Sequence, residues 1–185
     1  MEFEAVILSG GESSRMGSDK GLIEINGKPM VEHIIDTLKP IAHSLWVSTA
    51  NKNYIQFGVS LVADEYTAIG PLGGLHTALK RAISDCLLVV SVDAPFVSEE
   101  CILKLIRHSE SDTIAISKCE GKSYPLIGVY PISVLAKLEE YIECGKRSVF
   151  GFLETQKVKE VEFSEQYKGC FRNINTPEDL KEIQE

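Results

Sequence analysis

Val6-Ile-Leu-Ser-Gly-Gly-Glu-Ser-Ser-Arg-Met-Gly-Ser-Asp-Lys20 is the stretch of this sequence that decides its fold. It begins with a short apolar run that ends abruptly in small residues, a pattern typical of a buried strand that leads into a ligand-binding loop. Gly10 and Gly11 lack a Cβ, so their backbone can approach a ligand and turn N–H groups toward phosphate oxygens or a base edge. Arg15 and Lys20 add cationic donors. The stretch therefore predicts a phosphate-binding or base-binding loop after a central strand.

Two well-known phosphate-binding motifs do not fit this loop. A P-loop needs Gly-x-x-x-x-Gly-Lys followed by Ser or Thr, whereas Ser18 stands where the lysine should be. The dinucleotide fingerprint Gly-x-Gly-x-x-Gly is absent as well. An ordinary strand-to-helix turn with solvated Arg15 and Lys20 is the plain alternative.

The pattern Leu8-Ser-Gly-Gly-x-Ser-x-Arg-Met-Gly-x-Asp-Lys20 resembles the signature of nucleotidyltransferases that attach a nucleotide to molybdopterin. Within that group the chain is most similar to the molybdenum cofactor guanylyltransferase family. Ser9 departs from the alanine that the family usually has, but both residues are small. The resemblance covers nearly the whole chain and is strongest in the amino-terminal half.

Length and composition indicate one globular domain, residues 1–185. The chain has 185 residues, of which 44% are hydrophobic and 25% charged, and a chain of this length buries roughly 70% of its unfolded surface in a single core. No apolar run approaches the roughly 20 residues that span a bilayer. The amino terminus, Met1-Glu-Phe-Glu4, is acidic where a secretory signal is basic. We therefore expect a cytoplasmic protein without a membrane partner.

The charge and the cysteine content exclude further classes. A formal net charge of -8 argues against a nucleic-acid partner, whose affinity would come from neutralised phosphates. The five cysteines include no Cys-x-x-Cys pair, which favours reduced, mostly structural thiols. The four histidines show neither metal-ligand spacing nor a hydrolase pattern.

Strand and helix patterns alternate along the chain, which predicts an α/β fold: a Rossmann-like three-layer α/β/α domain with a mostly parallel sheet. The resemblance implies the same architecture, that of the nucleotide-diphospho-sugar transferases. We expect residues 1–112 to form a nucleotide-binding half and residues 113–185 an acceptor-binding half. Tyr124 to Tyr130 reads as an antiparallel strand, and residues 158–163 alternate as an edge strand should. The helix at Pro71 is predicted to line its apolar stripe with Leu72, Leu75, Leu79 and Ile83.

Asp93 follows the most continuous strand-like run, Cys86 to Val92, which is typical of a central strand buried on both faces. A carboxylate at the carboxyl end of such a strand lies where open α/β sheets bind ligands. Beside a triphosphate, one carboxylate oxygen suits Mg²⁺, which completes its shell with phosphate and water. We therefore predict that Asp93 is a ligand of Mg²⁺. The alternative is a helix N-cap, but Ser98 is better placed for that role.

Gly73 and Gly74 each cost a helix interior roughly 1 kcal/mol relative to alanine, so their presence needs a reason. One explanation is close approach of a ligand to the start of the helix, where the dipole favours anions. The other is tight packing of the helix against the sheet. A Gly-Pro-Leu-x-Gly-Leu stretch occupies this place in the resembling family, which favours the ligand.

The resemblance implies transfer of GMP from GTP to the phosphate of molybdopterin, with release of pyrophosphate and with Mg²⁺ as cofactor. Arg15 and Lys20 then hold the pyrophosphate and act with Asp93 as the catalytic residues. The remaining implied contacts are to the nucleotide, from Leu8, Ser9, Gly10, Gly11, Lys20, Asp64 and Asp93, and to the acceptor, from Arg147, Asn173 and Asn175. Asp64 is the candidate for guanine, because only guanine presents two adjacent donors, N1–H and N2–H₂.

Further points stay open on the sequence. Either Thr49 or Asn51 aligns with an asparagine that the family places after the second strand. Transient contacts with molybdoenzymes or cofactor-biosynthesis proteins are also implied. The competing functions are a CTP-dependent molybdopterin cytidylyltransferase, a sugar-phosphate or isoprenoid-precursor nucleotidylyltransferase, and a non-catalytic nucleotide sensor or partner-handing module. The second glycine of Gly10-Gly11 favours guanine over cytosine.

Overall fold

The central sheet joins strands from the whole length of the chain. The computed structural model describes residues 3–10, 19–66 and 69–184. Its strands are β1 Glu4–Leu8, β2 Glu24–Ile25, β3 Lys28–Pro29, β4 Ser44–Ser48, β5 Ser60–Val62, β6 Cys86–Ser91, β7 Ile114–Cys119, β8 Lys122–Pro131 and β9 Val158–Phe163. Seven of them form one sheet in the order β5-β4-β1-β6-β8-β7-β9, while β2 and β3 form a separate two-stranded sheet.

Most neighbouring strands of the large sheet are parallel. β1 runs parallel to both β4 and β6, β4 runs parallel to β5, and β9 runs parallel to β7. β8 is antiparallel to both of its neighbours, β6 and β7. The mostly parallel sheet, the antiparallel strand at residues 124–130 and the edge strand at residues 158–163 are therefore confirmed. Because the carboxyl ends of β1, β4 and β6 meet at one edge, the segments that follow them lie close together.

The described residues include six α-helices. They are α1 Met30–Leu38, α2 Pro71–Arg81, α3 Glu99–Arg107, α4 Leu135–Glu143, α5 Val149–Leu153 and α6 Pro177–Gln184. Ser98 caps α3, as expected, by accepting from the Cys101 amide over 3.3 Å. No helix in the described ranges is long and apolar enough to cross a membrane.

Alternation along the strands divides the core into two layers. In β1, Ala5 and Ile7 join one buried cluster with residues of α1 and α3, whereas Val6 and Leu8 join another with residues of α2 and α4. Successive side chains of a strand point to opposite faces, so a strand that is apolar throughout must be covered on both. The expected three-layer α/β/α arrangement follows from this pattern.

Local backbone geometry sets the turn after β2 and the end of α2. Asn26 and Gly27, with φ angles of 54° and 76°, form the turn between β2 and β3. Ile83 does not belong to the apolar stripe of α2, because the helix ends at Arg81 and the side chain of Ile83 is 88% exposed. The backbone amide of Ile83 instead donates to the Glu4 carboxylate over 2.6 Å. The apolar spacing therefore predicted a helix that continues past its actual end at Arg81.

Candidate active site

The ends of β1, β4 and β6 are tied together by backbone hydrogen bonds. The Val92 amide donates to the Leu8 carbonyl over 3.0 Å, and the Ser9 amide donates to the Ser48 carbonyl over 3.1 Å. These bonds hold the start of the loop after β1 between the segments that follow its two neighbours. The amide of Ser9 therefore belongs to the sheet edge, and Gly10, which is exposed, is the last residue described before residues 11–18.

Lys20, Asp93 and Asn175 converge beyond the end of β6. Lys20 Nζ donates to Asn175 Oδ1 over 2.6 Å and lies 3.7 Å from Asp93 Oδ2. The side chains of Lys20 and Asp93 are 18% and 23% exposed, so they are largely shielded but still accessible. The Ile174 amide donates to the Asp93 carbonyl over 2.9 Å, which fixes the carboxy-terminal segment beside β6. A cation, a carboxylate and an amide, separated widely in sequence, thus share one corner.

Asp64 lies against the start of the loop, on the other side of β1. It accepts a hydrogen bond from the Ser48 hydroxyl. A Cβ on Gly10 would lie 2.8 Å from Asp64 Oδ2, so a side chain there would strike the carboxylate. Burial raises the pKa of Asp64, and the Ser48 hydrogen bond opposes that rise. Gly10 and Asp64, which were both predicted to contact the nucleotide, are therefore neighbours.

A buried hydroxyl network beside this corner was missed by the sequence reasoning. Tyr54, in the short helix Lys52–Phe57, is fully buried and donates to Asp19 Oδ1. Ser9 Oγ lies 2.6 Å from the Tyr54 hydroxyl and must be the donor, because the single tyrosine proton goes to Asp19. Asn51 Nδ2 donates to Asp19 Oδ2 over 2.8 Å. Burial raises the pKa of Tyr54, so its hydroxyl remains a donor.

This network also holds the helical turn that begins at Lys20. Asp19 Oδ1 also accepts from the Gly21 amide over 3.1 Å and so caps the helical turn that begins at Lys20. A Cβ on Gly21 would lie 2.2 Å from the Tyr54 hydroxyl, so the turn packs directly on the network. Thr49 and Asn51 have different surroundings in the structure. Thr49 is buried, whereas the side-chain amide of Asn51 belongs to this network.

We expect Tyr54→Phe to lower the free energy of unfolding by about 1–3 kcal/mol, because it removes the buried hydroxyl that accepts from Ser9 and donates to Asp19. Urea denaturation of the variant measures this loss. Tyr167→Phe is the matched control, since its hydroxyl bonds to the exposed Glu100, and we expect a change within about 0.5 kcal/mol. Equal, small effects of the two substitutions would contradict the structural role of the network.

A cavity of about 230 Å³ opens next to Asp93. Its lining includes Asn173, Phe150 of α5 and the first half of β8. Asn173 and Asn175 thus lie on the same side of the carboxy-terminal segment, with the buried Ile174 between them. Asn173 reaches the cavity, while Asn175 reaches Lys20.

The remaining predicted site residues are placed differently. The Arg147 Nη1 atom donates to the carbonyls of Ile142 and Lys146 over 2.8 and 2.7 Å, at the carboxyl end of α4. Arg147 does not line the cavity, which this segment of the chain reaches through Phe150. The predictions for Gly11 and Arg15 fall outside the described residues.

Gly73 and Gly74 are explained by packing. Both are buried in the first turns of α2. A Cβ on Gly73 would lie 2.4 Å from the Tyr66 carbonyl oxygen, and one on Gly74 would lie 3.1 Å from Ser48 Oγ. Atoms of the chain itself therefore fill the space beside both glycines. Tight packing, rather than close approach of a ligand, explains their presence in this helix.

Known proteins share this sequence and this fold. The family described as MobA-like NTP transferase domain matches residues 5–159. A molybdenum cofactor guanylyltransferase of Vibrio campbellii is 36% identical over 184 residues, which cover 96% of this chain and 93% of the relative. One from Shewanella sp. (strain ANA-3) is 32% identical over 190 residues and covers 99% of this chain and 95% of the relative.

A solved structure agrees with these relatives. The crystal structure of a protein from Aquifex aeolicus VF5 superposes with a TM-score of 0.83 at 30% identity, and the match covers 95% of this chain and 94% of that one. The resemblance noted from the glycine-rich loop and the fold expected from it are both confirmed. The chain belongs to the MobA-like NTP transferase family and is a nucleotidyltransferase of the molybdenum cofactor guanylyltransferase type.

Proposed function

We propose that this site transfers GMP from GTP to the terminal phosphate of molybdenum-loaded molybdopterin, which yields the guanine dinucleotide form of the cofactor and pyrophosphate. The observation that carries the proposal is the convergence of Lys20 and Asp93 at the end of β6, beside a cavity. The nucleotide and the acceptor can then approach Asp93 from opposite sides. The names of the relatives, which are 32–36% identical to this chain, support this choice of substrates.

The nucleotide side of the proposal centres on Asp64. Its carboxylate fills the space that a side chain on Gly10 would take, so the glycine allows Asp64 to lie at the end of β1. Two adjacent carboxylate oxygens match the N1–H and N2–H₂ donors of guanine. Leu8, Ser9 and Gly11 keep their proposed contacts with the base, and Arg15 keeps its proposed contact with the pyrophosphate.

Asp93 is the proposed metal ligand, and the surroundings of the carboxylate fit that role. Nucleotidyltransferases generally use a divalent cation. No group of three or more His, Cys, Asp or Glu side chains that could hold a metal occurs among the described residues. A cation at Asp93 would therefore take most of its ligands from phosphate and water, as Mg²⁺ does in phosphoryl-transfer sites. When bound, Mg²⁺ neutralises charge on the reacting phosphates.

The chain's own residues position charges and need not supply a nucleophile. The acceptor phosphate is already ionised at neutral pH, so no general base is required. Lys20, held between Asn175 and Asp93, is proposed to stabilise the departing pyrophosphate together with Arg15. Catalysis then rests on orientation and on neutralisation of phosphate charge, as in other phosphoryl transfers.

On the acceptor side, Asn173 is the best-supported contact, because it lines the cavity beside Asp93. Asn175 is proposed to act through Lys20, to which its amide oxygen is bonded. Arg147 stays a prediction. To reach an acceptor, its guanidinium would have to leave the carbonyls of Ile142 and Lys146.

We expect GTP affinity to depend on the ionisation of Asp64. Only the carboxylate form accepts both guanine donors, and burial raises its pKa above the ordinary value. Affinity should therefore be complete at high pH and fall, on acidification, at a higher pH than an ordinary aspartate would give. Ser48→Ala removes the hydrogen bond that lowers this pKa, so the loss of affinity should move to still higher pH.

Calorimetric titration with GTP across a pH series measures this effect. The ionisation of the GTP phosphates is the same for every variant, so a difference between the pH profiles of two variants reports on the protein. Ser60→Ala, on the neighbouring strand β5, is the control, since Ser60 is exposed and pairs with Trp46, two positions before Ser48 on β4. Its pH profile should match that of the unchanged protein. Superimposed profiles for Ser48→Ala and the unchanged protein would refute the proposed role of Asp64.

Pyrophosphate release tests the proposed function against its non-enzymatic alternative. The protein is mixed with Mg²⁺, GTP and molybdenum-loaded molybdopterin, and pyrophosphate is followed by a coupled assay. We expect release only when both substrates are present. Binding of GTP without release would instead favour a nucleotide sensor.

A further inference from the structure

One wall of the cavity that Asp93 lines has features that the proposed reaction does not use. This wall consists of the first residues of β8 and Phe150 of α5. Phe150 is 55% exposed, although its neighbours Phe152 and Leu153 are buried in the core. A single exposed apolar side chain is ordinary, but this one lines the same cavity as Asp93 and Asn173.

An irregularity in β8 creates this wall. The pairing of β7 with β8 shifts between Ile116 and Ser117, whose partners on β8 are Gly128 and Tyr124. Residues 125–127 therefore have no partner on β7, and such bulges redirect a strand, often beside active sites. The buried Tyr130 donates its hydroxyl to the Pro125 carbonyl over 2.6 Å. The bulge is thus held in a defined shape.

Lys122 supplies a positive charge on the same wall. Its Nζ lies 5.0 Å from the centroid of the Tyr124 ring, which places the ammonium over an aromatic face. Tyr124 is itself packed on Phe171, with ring centroids 5.0 Å apart. In the part of the chain that the structure describes, no carboxylate oxygen lies within 4.0 Å of Lys122 Nζ, so this charge is open to an anionic ligand.

We infer that Phe150 and Lys122 recognise the acceptor, with Phe150 stacking on its planar heterocycle and Lys122 pairing with one of its anionic groups. This inference rests on the proposed function. The cavity volume of about 230 Å³ lies below the roughly 300–1,000 Å³ usual for whole small-molecule sites. The cavity therefore encloses one part of the acceptor, and the exposed face of Phe150 extends the contact beyond it. Stacking on an aromatic side chain suits any flat heterocycle, whereas the lysine selects an anionic one.

Anaerobic calorimetry with molybdopterin in the absence of nucleotide tests the inference directly. We expect Phe150→Ala to raise the Kd for molybdopterin about tenfold, and Phe150→Trp to keep or improve it because the ring face is retained. Ile83→Ala is the control, since Ile83 is 88% exposed but lies outside the cavity lining. Lys122→Met should also raise the Kd and reduce its salt dependence. Lys104→Met, which removes a lysine from over Phe163, should not.

Steady-state kinetics provide the second readout. The Phe150 and Lys122 variants should raise KM for molybdopterin while kcat and KM for GTP stay within about twofold. Unchanged Kd values for the Phe150→Ala and Lys122→Met proteins, or an equal rise in KM for GTP, would overturn the inference. If the unchanged protein binds molybdopterin and the variants weaken that binding, but no nucleotide is transferred, the proposed function fails and the assignment of this wall stands.

Discussion

Asp93→Asn is expected to lower kcat by about 10²–10³, the cost of losing one essential electrostatic group in an active site. The substitution keeps the size of the side chain but removes the negative charge that would hold a divalent cation and that faces Lys20 across 3.7 Å. The fold should survive, because the backbone carbonyl of Asp93, and not its side chain, accepts from Ile174. Initial rates of pyrophosphate release at saturating substrates measure the effect.

Asp85→Asn is the matched control for this substitution. Asp85 immediately precedes β6, so it lies at the opposite end of the strand that Asp93 follows, and its side chain is exposed. We expect that variant to keep nearly normal activity. A folded Asp93→Asn protein with comparable activity would defeat the assignment of Asp93 as metal ligand.

Lys20→Met is expected to lower kcat/KM for GTP by about 10², because it removes the positive charge proposed to meet the departing pyrophosphate. Its ammonium is held in place by Asn175 at 2.6 Å, so the charge is already oriented before substrate arrives. Lys20→Arg should restore little activity, since a guanidinium does not reproduce a compact ammonium in this confined position.

Lys137→Met, on the exposed surface of α4, controls for the general loss of one positive charge. It should leave kcat/KM for GTP within about twofold of the unchanged protein, because an exposed charge is screened by salt. Near-normal kinetics of a folded Lys20→Met protein would show that Lys20 does not carry the proposed charge.

Local patterns predicted the elements of this fold well because each depends on residues close together in sequence. The continuous strand-like run at residues 86–92 predicted the central strand, and the alternation at residues 158–163 predicted an edge strand. The ends of the elements were predicted less accurately, as the exposed Ile83 shows. The helical spacing of apolar residues continues past Arg81, but the helix ends there and the Ile83 amide donates to the Glu4 carboxylate instead.

The site was only partly predictable because its members meet through tertiary contacts. Asp93 was predicted as a site residue from its place after a central strand, and Asn173 and Asn175 were predicted from the family resemblance. Tyr54 was missed, since nothing in the sequence shows that its hydroxyl reaches Asp19, 35 positions away. The bulge in β8 also carries no local signal, because it arises from the pairing of β8 with another strand.

Several expectations from the sequence stay predictions. They are the division into halves at residues 1–112 and 113–185, cytoplasmic residence, the lack of a nucleic-acid partner and transient contacts with molybdoenzymes. Of these, the division bears most on mechanism. The large sheet runs continuously through both ranges, since β6 pairs with β8 along five residue pairs.

A single-turnover competition between GTP and CTP tests the central claim most directly. The protein is mixed with Mg²⁺, molybdenum-loaded molybdopterin and equal amounts of the two nucleotides, and the attached nucleotide is identified by mass. Guanine incorporation with stoichiometric pyrophosphate release is the predicted result. Cytosine incorporation alone would contradict the assignment of Asp64 to guanine, and a folded protein that formed neither product would contradict the proposed transfer itself.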